Sequence, residues 1–395
     1  MNLELLNFLL YFFPLLFYLK KYKTIDLYVV LLVAYAFTAF MCYLNILSGN
    51  SSYKHTTLFP YLYLATCIFI SLFPFKRLTI PSSFSLRETP LIKYMTWIYI
   101  LAGVYAAYST IPDTIALFIM DEWSTLRNTL YNDADMIELY HSPFEKICKN
   151  ITSYLGPFGI VMAFYQLQKP KKNIYLIISL FAVWIVNTFL SATLVASRGM
   201  VANLMLKFVM LFVLFKNCID AKTRKYAITL SFVIGILFLI YTIIVSVSRF
   251  GEDSAGSSIF EYLGHSMIVF NERLMGCMHD YAWGKYFFEY FYSMLSIDST
   301  IDFTSLGAKA NTAFFTYVGS FYIDFGPYFT LPFLALVSLF VNKFTKQAVP
   351  TFSSMVIIVY FASFFLSGIF VIGTGAALQW VMVYVVYRMV KFSEK

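Results

Sequence analysis

The chain has 395 residues, 60% of them hydrophobic and 20% aromatic, with 13% charged, a net charge of +8 and a mean hydropathy of +0.71. Soluble globular domains carry about 45–50% apolar residues, so a water-soluble fold is excluded and a polytopic membrane protein is expected. The excess of Lys and Arg falls mostly in short loops, which makes it a topology signal and gives no reason to invoke nucleic acid.

A hydrocarbon core of about 30 Å needs roughly 17–25 helical residues. In chain order, eleven apolar runs meet or approach that length: 3–19, 25–47, 58–75, 91–111, 151–167, 174–196, 200–215, 226–247, 317–341, 352–372 and 376–390. They are apolar on every face, without the short alternating segments of a transmembrane barrel, so they are expected to be helices. The first run carries Glu4 at its amino end and Lys20, Lys21 and Lys23 behind it, the reverse of a cleaved signal peptide, so it is expected to be retained with its amino end outside.

Basic residues concentrate in every second connection: Lys20 to Lys23, Lys76 to Lys93, Lys169 to Lys172, Lys216 to Lys225, Lys343 with Lys346, and the tail with Arg388, Lys391 and Lys395. These connections are expected to be cytoplasmic. Two long segments fall on the other side, 112–150 with seven carboxylates and 249–316 with eight. The organisation expected is one membrane domain over 1–395 with extracytoplasmic insertions at 112–150 and 249–316. The five cysteines are scattered; Cys148 and Cys277 both fall outside and could pair or stay free. No metal motif and no cofactor motif is present in the sequence.

Arg198, in Ala196-Ser197-Arg198-Gly199-Met200, stands between two apolar runs with no hydrophilic loop around it. A guanidinium so near hydrocarbon is costly and marks a candidate functional site. Ser197 is placed to cap the helix that follows, which sets Arg198 and Gly199 in its first turn, where free N–H groups and the helix dipole favour phosphate. Arg249, in Ser248-Arg249-Phe250, closes a later apolar run. At about 1.5 Å per residue, the intervals from Lys172 to Arg198 and from Lys225 to Arg249 each span the hydrocarbon, so both arginines are expected at the outer interface. For both, phosphate binding is the favoured reading over snorkelling to headgroups or pairing with a loop carboxylate.

The second insertion reads as an amphipathic helix over 257–273 followed by an aromatic segment over 281–292. His265 lies four residues after Glu261, on the same helical face, and is followed by Glu272 and Arg273. His265, Glu261 and Arg273 are the candidates for catalytic work; a surface pair without chemical duty is the bland alternative for the first two. Asp324 begins a late span and is expected to cap a helix, pair with an arginine or orient the site.

Taken together, Ala196-Ser197-Arg198-Gly199, Ser248-Arg249, the Arg273-to-Gly284 spacing and Gly319 to Gly326 around Asp324 resemble the Wzy-type polymerases of bacterial O-antigen and capsule repeat units. The resemblance implies a GT-C-like membrane glycosyltransferase of lipopolysaccharide or capsule biosynthesis in the bacterial inner membrane, working on its periplasmic face. It implies transfer of a growing glycan from undecaprenyl pyrophosphate to the non-reducing-end hydroxyl of a second lipid-linked repeat unit. Arg198 and Arg249, with Ser197 and Gly199, would hold the pyrophosphate, and His265 or Glu261 would serve as base. The partners implied are the undecaprenyl-pyrophosphate-linked oligosaccharide and membrane lipid, with room for a chain-length regulator. An O-antigen ligase using the same donor and a lipid-linked glycan flippase are the alternatives; the near absence of ionisable residues within spans, Lys207 apart, disfavours the flippase.

Overall fold

The computed structural model describes residues 2–48, 53, 55–79, 82–84, 86–120, 142–194, 197–225, 228–229, 235–236, 240, 255–308, 314–347 and 349–394. All regular structure among the described residues is helical. The helices are α1 (Leu3–Tyr22), α2 (Leu27–Leu47), α3 (Leu58–Leu72), α4 (Pro90–Met120), α5 (Pro143–Gln168), α6 (Ile174–Leu194), α7 (Arg198–Phe215), α8 (Ala255–Val269), α9 (Glu289–Met294), α10 (Thr316–Thr345), α11 (Phe352–Ser367) and α12 (Ala376–Glu394). A 3-10 turn, Phe73–Arg77, ends α3, and a π-helical turn, Phe270–Met275, continues α8.

Ten of the eleven apolar runs coincide with helices, while the run 226–247 lies largely outside the described residues. Among the described residues, five helices are long and apolar enough to cross a membrane: α1, α2, α3 with its 3-10 turn, α6 and α10. Two shorter apolar helices, α7 and α11, accompany them. The chain is therefore a helical, membrane-embedded protein. All five cysteines carry free thiols, Cys148 and Cys277 included.

The chain divides into two compact units. The first contains residues 1–79, 256–348 and 361–381. Its α1 starts at Asn2, whose side chain accepts the N–H groups of Glu4 and Leu5, and ends at Lys23 in the left-handed conformation. Asp26 then caps α2 through the Val29 N–H and accepts the Tyr18 hydroxyl at 2.6 Å, so the α1–α2 turn is fixed from both sides. Lys76 lies over the Tyr18 ring, which gathers Lys20, Lys21 and Lys76 at one end of this unit. At the other end, the Thr56 hydroxyl donates to Glu4 at 2.7 Å.

The interior of the first unit is aromatic, with Tyr11, Tyr35, Tyr317, Phe321 and Phe365 buried. Trp380 packs on Phe287, Phe361 and Phe364. Lipid is as apolar as these side chains, so helix association here depends on packing and on polar links rather than on removal of apolar surface from water. One such link is the Tyr35 hydroxyl donating to the Phe365 carbonyl. Helix α10 breaks at Gly326, which takes φ +61 ahead of Pro327, and the Tyr281 ring packs where a side chain would stand.

The second unit contains residues 80–255, 349–360 and 382–395. Helices α4 and α6 approach closely where Gly103 meets Val183, and Asn187 donates to the carbonyls of Gly103 and Val183. Helices α4 and α5 do the same where Gly159 meets the Tyr99 ring. Phe84, Phe158, Tyr165, Phe215 and Phe352 form its aromatic cluster. Ion pairs Lys169–Glu88 and Lys172–Asp220 tie its connections at the lysine-rich end. The 112–150 insertion expected from sequence is in part helical: α4 continues through Pro112 to Met120, and α5 begins at Pro143 behind the Ser142 cap.

Candidate functional site

In the first unit, a constellation of polar side chains gathers at the end opposite Lys20 and Lys21. It is built by three pieces of chain: the start of α1, Tyr53 with residues 55–57 between α2 and α3, and α8 with its π turn. Gly264 makes the approach of α8 possible, since a Cβ there would stand 2.4 Å from the Cys42 backbone nitrogen. One residue later is His265, and two more bring Met267, which accepts from the Asn7 amide.

The π turn then changes the direction in which successive side chains leave the helix, a device often found at functional sites. Its first polar residue, Asn271, is buried and pairs with both backbone groups of Thr57: Oδ1 accepts the Thr57 N–H at 3.0 Å and Nδ2 donates to the Thr57 carbonyl at 2.7 Å. Glu272, also buried, accepts the His55 N–H at 3.1 Å. These bonds staple residues 55–57 to the π turn on one side, and the Thr56–Glu4 bond holds them to α1 on the other.

Just ahead of the stapled residues stands Tyr53. Its hydroxyl lies 3.1 Å from Nε2 and 3.3 Å from Nδ1 of His265, and its ring lies under the Arg273 guanidinium, 4.7 Å from Cζ to the centroid. Arg273 has no carboxylate within ion-pair distance among the described residues. Burial, and after it the Arg273 charge, push the His265 imidazole down to about 4, so it is neutral at pH 7. Burial pushes the Tyr53 hydroxyl up to about 12, although Arg273 draws it the other way. The site thus offers, side by side, a neutral imidazole, a protonated phenol and a cation without an ion pair among the described residues. That combination suits an anionic ligand with a proton to be moved beside it.

Of the residues singled out in the sequence, the structure brings His265 and Arg273 together through Tyr53. Glu261 is exposed and makes no hydrogen bond to His265; the partner of the imidazole is Tyr53, which comes from 212 residues away. Asp324 is fully buried, and its carboxylate accepts the N–H groups of Tyr286 at 2.9 Å and Phe287 at 2.7 Å. It anchors the aromatic segment, whose turn at Trp283 and Gly284 uses positive φ at both residues. The Ser197 cap is present, accepting the Met200 N–H at 3.3 Å, so Arg198 and Gly199 open α7 in the second unit. The Arg198 side chain and all of Arg249 lie outside the described residues.

Comparison with protein-family models, with curated proteins and with solved structures finds no match. The residues themselves therefore carry the functional reading. Tyr53, Asn271 and Glu4 were not among the candidates from sequence. Of the three, Glu4 had a signal, a single carboxylate at the head of an apolar helix.

Proposed function

We propose that this chain is a membrane glycosyltransferase that extends a lipid-linked glycan, using a polyprenyl pyrophosphate as leaving group. The observation that supports this most is the Tyr53–His265–Arg273 constellation, a neutral imidazole beside a guanidinium with no carboxylate within ion-pair distance among the described residues. In this reading the apolar helices, with the run 226–247, make eleven crossings in a GT-C-like arrangement. The Lys-rich connections face the cytoplasm, and the site faces the periplasm of a bacterial inner membrane.

In the reaction, the non-reducing-end hydroxyl of one lipid-linked repeat unit attacks the anomeric carbon of the growing glycan. The bond from that carbon to the pyrophosphate oxygen breaks, and the electron pair leaves with the phosphate. His265 takes the hydroxyl proton, and Tyr53 orients the ring through its hydroxyl. Arg273 offers positive charge to the departing pyrophosphate. Occupation of Arg273 by phosphate also removes part of what depresses the imidazole, so the base strengthens when the donor is in place.

The test is synthesis by purified protein from a lipid-linked repeat unit, without nucleotide sugar. A ladder of lengthened products is expected from wild type and is expected to vanish in Arg273→Ala and His265→Gln, while both variants remain monodisperse. Absence of a ladder from wild type under conditions where the lipid is bound, or a full ladder from both variants, would refute the proposal.

A further inference from the structure

The second unit contains a cleft of about 300 Å³ between α4, α5 and α6, at the end that carries Lys169, Lys171 and Lys172. That volume is at the lower bound of sites that hold small organic molecules. Its lining changes character with depth. At the lip stand Glu88, Lys93 and Gln166, with Ile92 beside them; farther in come Trp97, Ile100 and Met162, an apolar wall interrupted by Thr96 and Ser179. From Lys93 to Ile100 is seven residues along α4, about 10 Å at 1.5 Å per residue, which in the eleven-crossing reading carries the cleft from the headgroup layer into the hydrocarbon.

The charges at the lip do not cancel. Glu88 is already engaged, by the Lys169 ammonium and by the Gln166 amide at 3.5 Å. Lys93 is exposed and has no carboxylate partner among the described residues, so the cleft presents one uncompensated cation at headgroup depth. Trp97, 57% exposed, stands below it where an amphipathic ring commonly marks the edge of the hydrocarbon. A soluble anion would meet the cation and leave the apolar inner wall uncovered. A neutral lipid would cover that wall and leave Lys93 unmatched.

We infer that this cleft is a binding site for an anionic glycerophospholipid, its phosphate at Lys93 and the upper part of an acyl chain against Trp97, Ile100 and Met162. The site is separate from the Tyr53–His265–Arg273 constellation, and the inference stands whether or not the proposed glycosyl transfer does.

Native mass spectrometry of the full-length protein in detergent tests it, with phosphatidylglycerol, phosphatidylcholine of the same acyl chains, and glycerol 3-phosphate as separate probes. Wild type is expected to retain phosphatidylglycerol over phosphatidylcholine and to retain no glycerol 3-phosphate. Lys93→Ala is expected to lower phosphatidylglycerol retention about five-fold, the scale of one lysine beside an anionic lipid. Lys171→Ala removes a cation at the same end that does not line the cleft, and it is expected to leave retention unchanged. Equal retention of the two lipids, retention of glycerol 3-phosphate, or equal losses in the two variants would overturn the assignment, the last by showing a diffuse charge effect. Lys93 is a surface side chain, so its loss leaves the helix packing in place.

Discussion

Replacing Asp324 is expected to loosen the aromatic segment of the first unit before it affects anything else. The carboxylate is fully buried and accepts two backbone N–H groups, from Tyr286 and Phe287. Asp324→Ala leaves both donors buried without a partner, at about 1–3 kcal/mol each and more where the lost acceptor was charged, hence roughly 2–6 kcal/mol in total. Whole domains are stable by only about 5–15 kcal/mol, so the variant should lose a large share of its heat resistance. Asp324→Asn keeps one acceptor oxygen but turns an N–H₂ group toward the second donor, and its cost should fall between wild type and Ala. Two links survive either change, the N–H groups of Ala282 and Trp283 donating to the carbonyls of Ile323 and Asp324, so release should be local. Lys285 sits inside the loosened stretch, with a third of its side chain exposed, and gives trypsin a place to report on it. The assay is the fraction of protein that stays monodisperse after heating, with tryptic cleavage at Lys285 followed in parallel. The expected order is wild type, then Asn, then Ala in heat resistance, and the reverse in cleavage rate. If Asp324→Ala melts with wild type and is cut no faster, the anchoring role is wrong.

Other expectations follow from the same geometry. His265 should titrate near 4, well below the ordinary value of about 6.5; its ring proton shifts should stay flat from pH 8 to pH 5.5, and a midpoint near 6.5 would contradict the burial described. Because its folded value is depressed, its contribution to stability is complete above about 6.5 and is lost as pH falls toward 4. Heat resistance of wild type should thus drop across that window more steeply than that of His265→Gln; parallel curves would speak against it. Asn271→Ala should cost about 1–3 kcal/mol by removing both links to the Thr57 backbone, and Asn271→Asp should not rescue it fully, since a carboxylate cannot donate to the Thr57 carbonyl; full rescue by Asp would refute the pairing. Gly264→Ala should disturb α8 through the Cys42 backbone at about 1–3 kcal/mol or more, visible as lowered heat resistance, and a neutral result would show that α8 sits farther from α2 than described.

The sequence was most informative where a property is local. Helix positions followed from apolar run length, and Asp26, Ser142 and Ser197 take cap positions that their short polar side chains favour. Helix α10 outlasts the expected run 317–341 by four residues at its carboxyl end, and it turns at Gly326 within that run. The candidate site was only partly legible, for a different reason. His265 and Arg273 stood out as ionisable groups in an apolar chain, but the residue that joins them lies in a short connection 212 positions earlier and is one of 31 tyrosines. Nothing local separates Tyr53 from an ordinary interfacial aromatic. Asn271 was overlooked beside two charged neighbours because its work is done on the backbone of another segment. The i,i+4 spacing of Glu261 and His265 suggested a pair, yet the imidazole turns toward the buried phenol.

The π turn at Phe270–Met275 makes chain length, and not only side-chain identity, a constraint on this molecule. A surface loop absorbs the gain or loss of one residue; a widened helical turn does not, because it exists by virtue of one residue beyond the α-helical count. Deleting a single position there would restore an ordinary helix and rotate everything after it by about 100° relative to His265. Asn271 and Glu272 would lose their backbone partners, and Arg273 would leave the Tyr53 ring, without any of the three being mutated.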